Sequence, residues 1–303
     1  MAKPLSILQF GSTGQLARAL TRAASTRPDL TIRALSRDAA DLQRPDDVAS
    51  AVRDAGAIDV VVNAAAYTAV DRAESEPDVA RLVNVDSVAA IAEACRARNL
   101  PLIHVSTDYV FDGTKPTPYV ETDVTAPLGV YGKTKLAGEE AIRATLDKHA
   151  ILRTSWVYSP WGTNFVKTML RLGAERDELR VIDDQQGAPT SAADVAQAIL
   201  KIAPRLADGG DVTGTFHFSN AGETTWRRFA EAIFADSADW SGAKAKVVPI
   251  ATADYPTPVR RPLNSRLDCT KVERVCAVAR PAWRQALASV LDEISKSRRE
   301  SQP

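Results

Sequence analysis

Short apolar runs alternate with stretches of helical period through the first half of the chain. Leu5-Ser6-Ile7-Leu8-Gln9-Phe10, Leu30-Thr31-Ile32-Arg33-Ala34-Leu35, Ile58-Asp59-Val60-Val61-Val62-Asn63 and Pro101-Leu102-Ile103-His104-Val105-Ser106 each read as a strand. The third is nearly all apolar, as expected in a parallel sheet covered on both faces. Between the strands, Arg18 to Ala24, Asp46 to Ala55 and the Ala-rich Pro77 to Arg98 carry helical patterns, with Asp46 or Asp47 placed to cap the second behind Pro45. This alternation predicts an α/β fold on a doubly wound parallel sheet.

The second half is more mixed. Asn164 to Leu172 reads as a helix and Leu179-Arg180-Val181-Ile182 as a short strand. Ser191 begins a capping sequence for a helix to about Ile202. Gly214 to Ser219 reads as a strand, and Thr224-Thr225-Trp226 opens a helix through Phe234. From Pro281 to Lys296, Trp283, Leu287, Val290, Leu291 and Ile294 recur at helical spacing and should pack on the domain; Arg298 to Pro303 is expected to fray. The run Tyr255-Pro256-Thr257-Pro258-Val259-Arg260-Arg261-Pro262 has too much proline for regular helix or central strand. Its two arginines suit a nucleotide diphosphate gripped bidentately, or else a solvated basic loop.

Composition narrows the function classes. The chain has 303 residues, 45% hydrophobic and 25% charged, as in an ordinary globular protein with a sizeable core. Lys plus Arg and Asp plus Glu are both 38, so no global charge draws it to nucleic acid or membrane. No apolar run approaches the ~20 residues that span a bilayer. Met1-Ala2-Lys3-Pro4 leads into the first strand without a signal-peptide core. Three cysteines at no metal-ligand spacing suit a reducing compartment. A cytoplasmic location is expected.

Candidate chemistry gathers where the strands end. After the first strand come Gly11-Ser12-Thr13-Gly14-Gln15-Leu16-Ala17 and then a helix, the setting in which a glycine turn holds a pyrophosphate at a helix N-terminus. The spacing is looser than the strict dinucleotide fingerprint, and a plain tight turn gives the same letters. Arg37, at the end of the second strand, suits a 2′-phosphate and leans toward NADPH; Asp38 beside it keeps NADH open. Asp41 and Leu42 follow where the chain passes the adenine, and Ala64-Ala65-Ala66-Tyr67 lets a flat ligand lie against the backbone. Thr107 and Asp108 end the fourth strand. His104, inside that strand, reads as a packed core histidine; His149 and His217 receive no role.

Tyr131-Gly132-Lys133-Thr134-Lys135 supplies acid/base chemistry. Tyr and Lys four apart share a helix face, and an ammonium beside a phenol whose pKa is near ~10 favours phenolate.

Together with Asn63 to Asp71, Val105 to Gly113, Leu152 to Tyr158, Asn164-Phe165-Val166, Asp184 to Thr190 and Arg261 to Ser265, these motifs resemble the extended short-chain dehydrogenase/reductases over nearly the whole chain. Within that family the chain resembles the group that reduces dTDP-4-dehydro-L-rhamnose. The resemblance implies a Rossmann domain over residues 1–157 and a smaller interleaved α/β substrate domain mainly over 158–303, with elements of 183–219 returning to the first sheet. It implies a nucleotide-sugar substrate reduced at its C4 keto group, Tyr131 as proton donor, Lys135 on the nicotinamide ribose, and Thr107 on the reacting carbonyl. Asp108, Trp156, Asn164 and Arg261 would contact the substrate.

Some members bind magnesium at a dimer contact through acids that this chain lacks: the first helix reads Arg18-Ala19-Leu20, and Asp194 is offset. A homodimer stays open, but no metal is expected. Two other readings remain: a nucleotide-sugar epimerase or dehydratase, and a non-catalytic NADP-binding regulatory subunit like the methionine adenosyltransferase beta subunit.

Overall fold

Four apolar runs become parallel strands, β1 (Leu5–Phe10), β2 (Leu30–Leu35), β3 (Val60–Asn63) and β4 (Leu102–Thr107), and a fifth that was not read from the sequence, β5 (His149–Thr154), joins them. The computed structural model describes residues 4–300, so the reading of Met1, Ala2 and Lys3 lies outside the described residues. A sixth strand, Gly214–His217, closes the sheet in the order Gly214–His217, β5, β4, β3, β1, β2, and every pairing is parallel. β2 lies on one side of β1 while β3 to β5 lie on the other. The winding therefore reverses between β1 and β3, which opens a crevice at their C-terminal ends.

Burial explains the apolar runs. β3 and β5 are buried at every position, because helices cover both faces of the sheet. On one face Leu16 and Leu20 of helix Gln15–Ser25 meet Val195 and Ile199 of helix Ala192–Ala207. On the other, Val48 and Val52 of helix Pro45–Arg53 meet Val88 and Ile91 of helix Ser87–Ala97. Each such side chain contributes roughly 1.5–3 kcal/mol on full burial. A separate core holds Leu170, Phe229, Leu287 and Leu291 between helices Phe165–Glu175, Trp226–Ser241 and Trp283–Glu300. Strand Glu178–Ile182 pairs there with Lys246–Ile250, outside the large sheet.

Two elements differ from expectation. The helix read over Pro77 to Arg98 is interrupted: Leu82–Asp86 forms a π-helical turn between α-helical Pro77–Arg81 and Ser87–Ala97. The tail does not fray at Arg298. Its helix runs to Glu300, the Arg298 guanidinium lies over the Trp240 ring, and Nη1 donates to the Ser241 carbonyl at 3.4 Å; residues 301–303 lie outside the described residues.

Among the described residues no helix is long and apolar enough to cross a membrane. Cys95, Cys269 and Cys276 are free and buried. Burial pushes the Cys95 thiol up to about 12 and Cys276 to about 11.

Candidate active site

The crevice between β1 and β3 opens into a cleft of about 1120 Å³. Gly11 takes a left-handed φ of 93°, which a side chain would strain, and turns the chain out of β1. Gly14 caps the following helix without a side-chain hydrogen bond, and the first turn carries no acid. Its N–H groups are left for an anion. Thr13, Gln15, Leu16, Arg37, Asp41, Leu42 and Ala64 to Tyr67 line the same cleft. Arg37 is exposed, its Nε 3.3 Å from Asp41 Oδ1.

The loop after β3 is pinned from the π-helical turn. Asn84 Oδ1 accepts from the Tyr67 N–H at 2.9 Å, and Asn84 Nδ2 donates to the Tyr67 carbonyl at 3.1 Å. Asn84 can sit there because Gly138, on the facing helix Val130–Thr145, has no side chain: a Cβ would stand 2.2 Å from the Asn84 carbonyl oxygen.

At the end of β4 the candidate catalytic groups meet. Thr107 Oγ1 donates to Asp108 Oδ1 at 3.0 Å and accepts from the Tyr109 N–H at 3.2 Å. Asp108 is buried with no hydrogen-bond partner on Oδ2, and burial raises its carboxyl to about 6 against the pull of Ser265 and Thr107. Tyr131 is half-buried, edge-on to Tyr109 at 5.6 Å between ring centroids. Its phenol is pushed well above its ordinary value, first by burial, with the Thr107 hydroxyl pulling it back and Asp108 and Tyr109 adding to the rise.

That corrects one expectation. Lys135 does not depress the phenol, because its Nζ is held elsewhere: 3.0 Å from His104 Nε2 and 2.7 Å from the Val105 carbonyl oxygen. Burial lowers Lys135 to about 8, opposed by the Glu139 charge one turn on. His104, read as core packing, is fully buried and also touches the candidate lysine.

The far end of the cleft is aromatic. Trp156 takes a left-handed φ of 50° and stacks on Trp226, which the sequence offered only as a helix start. Two predicted substrate contacts are not brought to the cleft lining. Asn164 caps helix Phe165–Glu175, and its Nδ2 donates to Gln15 Oε1 at 2.9 Å and to the Ser159 and Trp161 carbonyls. Arg261 Nη2 pairs with Asp71 Oδ2 at 2.9 Å. Asp194, considered above as a metal ligand, accepts from Asn220 Nδ2 at 2.8 Å.

A phosphate turn, a Tyr and Lys on one helix, and a strand-end Thr around one cleft define a Rossmann-type, dinucleotide-dependent oxidoreductase. Sequence comparison gives the family. The chain belongs to the RmlD substrate binding domain family, whose profile matches residues 5–296. It is 50% identical to the dTDP-4-dehydrorhamnose reductase of Sinorhizobium fredii, over 91% of this chain and 93% of that protein. Among solved structures, the Clostridium acetobutylicum dTDP-4-dehydrorhamnose reductase superposes with a TM-score of 0.89 at 34% identity, over 96% of this chain and 99% of that one. The Bacillus anthracis dTDP-4-dehydrorhamnose reductase, solved in complex with NADP, superposes with a TM-score of 0.87 at 33% identity and the same coverage.

Proposed function

We propose that this chain uses NADPH to reduce the C4 keto group of dTDP-4-dehydro-L-rhamnose to the alcohol of dTDP-L-rhamnose, with Tyr131 giving the proton. The observation that carries this reading is the meeting of Thr107, Tyr131 and Lys135 in a single cleft that also holds the phosphate turn. The names of the relatives supply the sugar. The bare helix N-terminus behind Gly14 fits a pyrophosphate, and NADPH, when bound, supplies the hydride.

The chain's own groups then act on the ketone oxygen. Tyr131 donates to it as it gains charge, and Thr107 does so once its hydroxyl turns away from Asp108 Oδ1. A phenol raised above its ordinary value keeps its proton at neutral pH and releases it only to a strong base, which the alkoxide is. Lys135 binds the nicotinamide ribose, and the Trp156–Trp226 stack lies where the sugar nucleotide enters. The buried, uncrosslinked cysteines suit work in a reducing cytoplasm.

The test is NADPH oxidation by purified protein with dTDP-4-dehydro-L-rhamnose, repeated with Tyr131→Phe. The variant should lose on the order of 10²–10⁴ in kcat while still binding NADP⁺. Equal turnover would remove the proton-donor role. Asp108 favours a second reading: a buried carboxyl with a free oxygen in the cleft suits a nucleotide-sugar epimerase or dehydratase, which would convert sugar without net NADPH loss. Cofactor binding with no sugar turnover would point to a regulatory subunit.

A further inference from the structure

The hydrogen-bond polarity around His104 can be read atom by atom. β3 and β4 place Asn63 and His104 side by side as register partners. Asn63 Oδ1 accepts from the Ala65 N–H at 3.1 Å, which fixes the way its amide faces. Asn63 Nδ2 then lies 3.2 Å from His104 Nδ1. An amide nitrogen only donates, so Nδ1 must accept, and the neutral ring carries its proton on Nε2. That proton points at Lys135 Nζ, 3.0 Å away. Lys135 donates to the Val105 carbonyl at 2.7 Å, but toward Nε2–H it has to accept. An ammonium has no lone pair with which to do so.

The other two histidines are wired the opposite way. His149 Nδ1 lies 2.5 Å from the Leu146 carbonyl oxygen and His217 Nδ1 3.0 Å from that of Tyr119, so both carry the proton on Nδ1. His104 is the reversed tautomer of the three.

We propose that His104 is a positioning residue for the reaction: with Asn63 it holds Lys135 against β4 as a neutral amine, and the proton that Lys135 takes up when an anionic dinucleotide binds breaks this hydrogen bond and turns the ammonium toward the ligand. This rests on the cofactor role proposed above for Lys135. The proton comes from solvent. Phosphates brought into the cleft favour the charged lysine, and the imidazole N–H then repels it. The charged and titratable neighbours are few. His104 faces Lys135 from β4, and Glu139 lies one turn on in the same helix, ion-paired with Arg153 from β5 and with Arg143. Asp108 and Tyr109 act on Tyr131 instead. Burial keeps His104 neutral and lowers Lys135 to about 8, so the amine that His104 holds is the main form above that pH.

Two measurements on the full chain test this, neither needing turnover. With three histidines in the sequence, ¹⁵N-histidine spectra of the nucleotide-free chain at about pH 9 should show one ring protonated on Nε2 and two on Nδ1. Replacing His104 by Gln should remove the Nε2 signal. Calorimetric titration with NADP⁺ at about pH 9 should show proton uptake, with Kd rising about tenfold per pH unit above about 8. In His104→Gln the amide can turn its oxygen to the ammonium, so the onset of that rise should move up by about one pH unit. A packing role alone would lower Tm and leave the onset where it was. Should this variant fail to fold, the wild-type spectra and titration still decide. A His104 proton on Nδ1, a Kd flat with pH, or an unmoved onset in the variant overturns the proposal. Failure to reduce the sugar would overturn the proposed function alone.

Discussion

The indole of Trp156 lies flat on that of Trp226, 3.6 Å between centroids and 14° from parallel. Trp226 Nε1 donates to Gln185 Oε1 at 3.1 Å, while Trp156 follows β5 of the large sheet. The stack therefore ties the chain leaving β5 to helix Trp226–Ser241.

Gly187 marks how closely this pair is packed. An added Cβ would lie 2.5 Å from Trp156 Cε2 and 2.6 Å from Cζ2. Gly187→Ala should push the indole aside at a cost of about 1–3 kcal/mol. The expected result is a KM for the nucleotide sugar raised about tenfold with the KM for NADPH unchanged, measured by steady-state kinetics. An unchanged sugar KM would detach the stack from substrate binding.

Asp108 should trade stability for function. Its folded pKa, about 6, lies above its ordinary value of 3.8, so above pH 6 the fold carries a buried charge that the unfolded chain hydrates. That cost is relieved as pH falls from 6 towards 4. Asp108→Asn should therefore stabilise the chain at pH 7.5 by on the order of 2–3 kcal/mol, with the gain shrinking at pH 5, while sugar turnover falls. Thermal melts at the two pH values check the sign.

The strands were the most legible part of the chain. β1 and β2 have the bounds that their runs predict: β1 is buried through its last four positions, and β2, at the sheet edge, alternates between covered and exposed positions. The cofactor end was legible for a related reason: glycine turn, strand end and helix start are neighbours in sequence. What stayed hidden depends on distant partners. Asn164 sits in a substrate-like motif, yet its amide is taken by Gln15, 149 residues away. Trp226 showed only a helix start, since a stack between rings far apart in sequence, Trp156 and Trp226, has no local pattern. The π-helical turn at Leu82–Asp86 lies inside a stretch that reads as one helix, where a single widened turn leaves no mark on the periodicity. His104 alternates like any core position, and only the register with Asn63 shows what it holds.

Beneath the site Glu139 and Arg153 form a buried pair, Nη2 to Oε2 at 2.6 Å and Nε to Oε1 at 2.8 Å. Burial alone would raise the Glu139 carboxyl, but the Arg153 hydrogen bonds and charge outweigh it and hold the carboxyl below its ordinary value. Glu139→Gln should cost about 3–5 kcal/mol, because it leaves a buried guanidinium without its counter-charge. The lowered pKa means that the pair's contribution is whole above the ordinary carboxyl range and is lost as pH falls beneath it. In urea melts the gap between wild type and variant should persist at pH 6 and narrow below about pH 4.

Arg37 offers a cleaner separation. Its pairing with Asp41 is solvent-exposed and adds little to stability. Arg37→Ala should leave Tm unchanged and lower the preference for NADPH over NADH, as a ratio of kcat/KM, about tenfold. An unchanged ratio would take Arg37 out of cofactor recognition.

The three sequestered thiols give the chain a silent background for cysteine chemistry. With all three thiols packed inside, a maleimide dye or spin label meets no competing thiol at the surface. One cysteine introduced at Val124, 86% exposed in the loop between β4 and the Tyr131 helix, would be the sole reactive handle. Movements of the cleft on ligand binding can thus be followed spectroscopically in an otherwise unaltered protein.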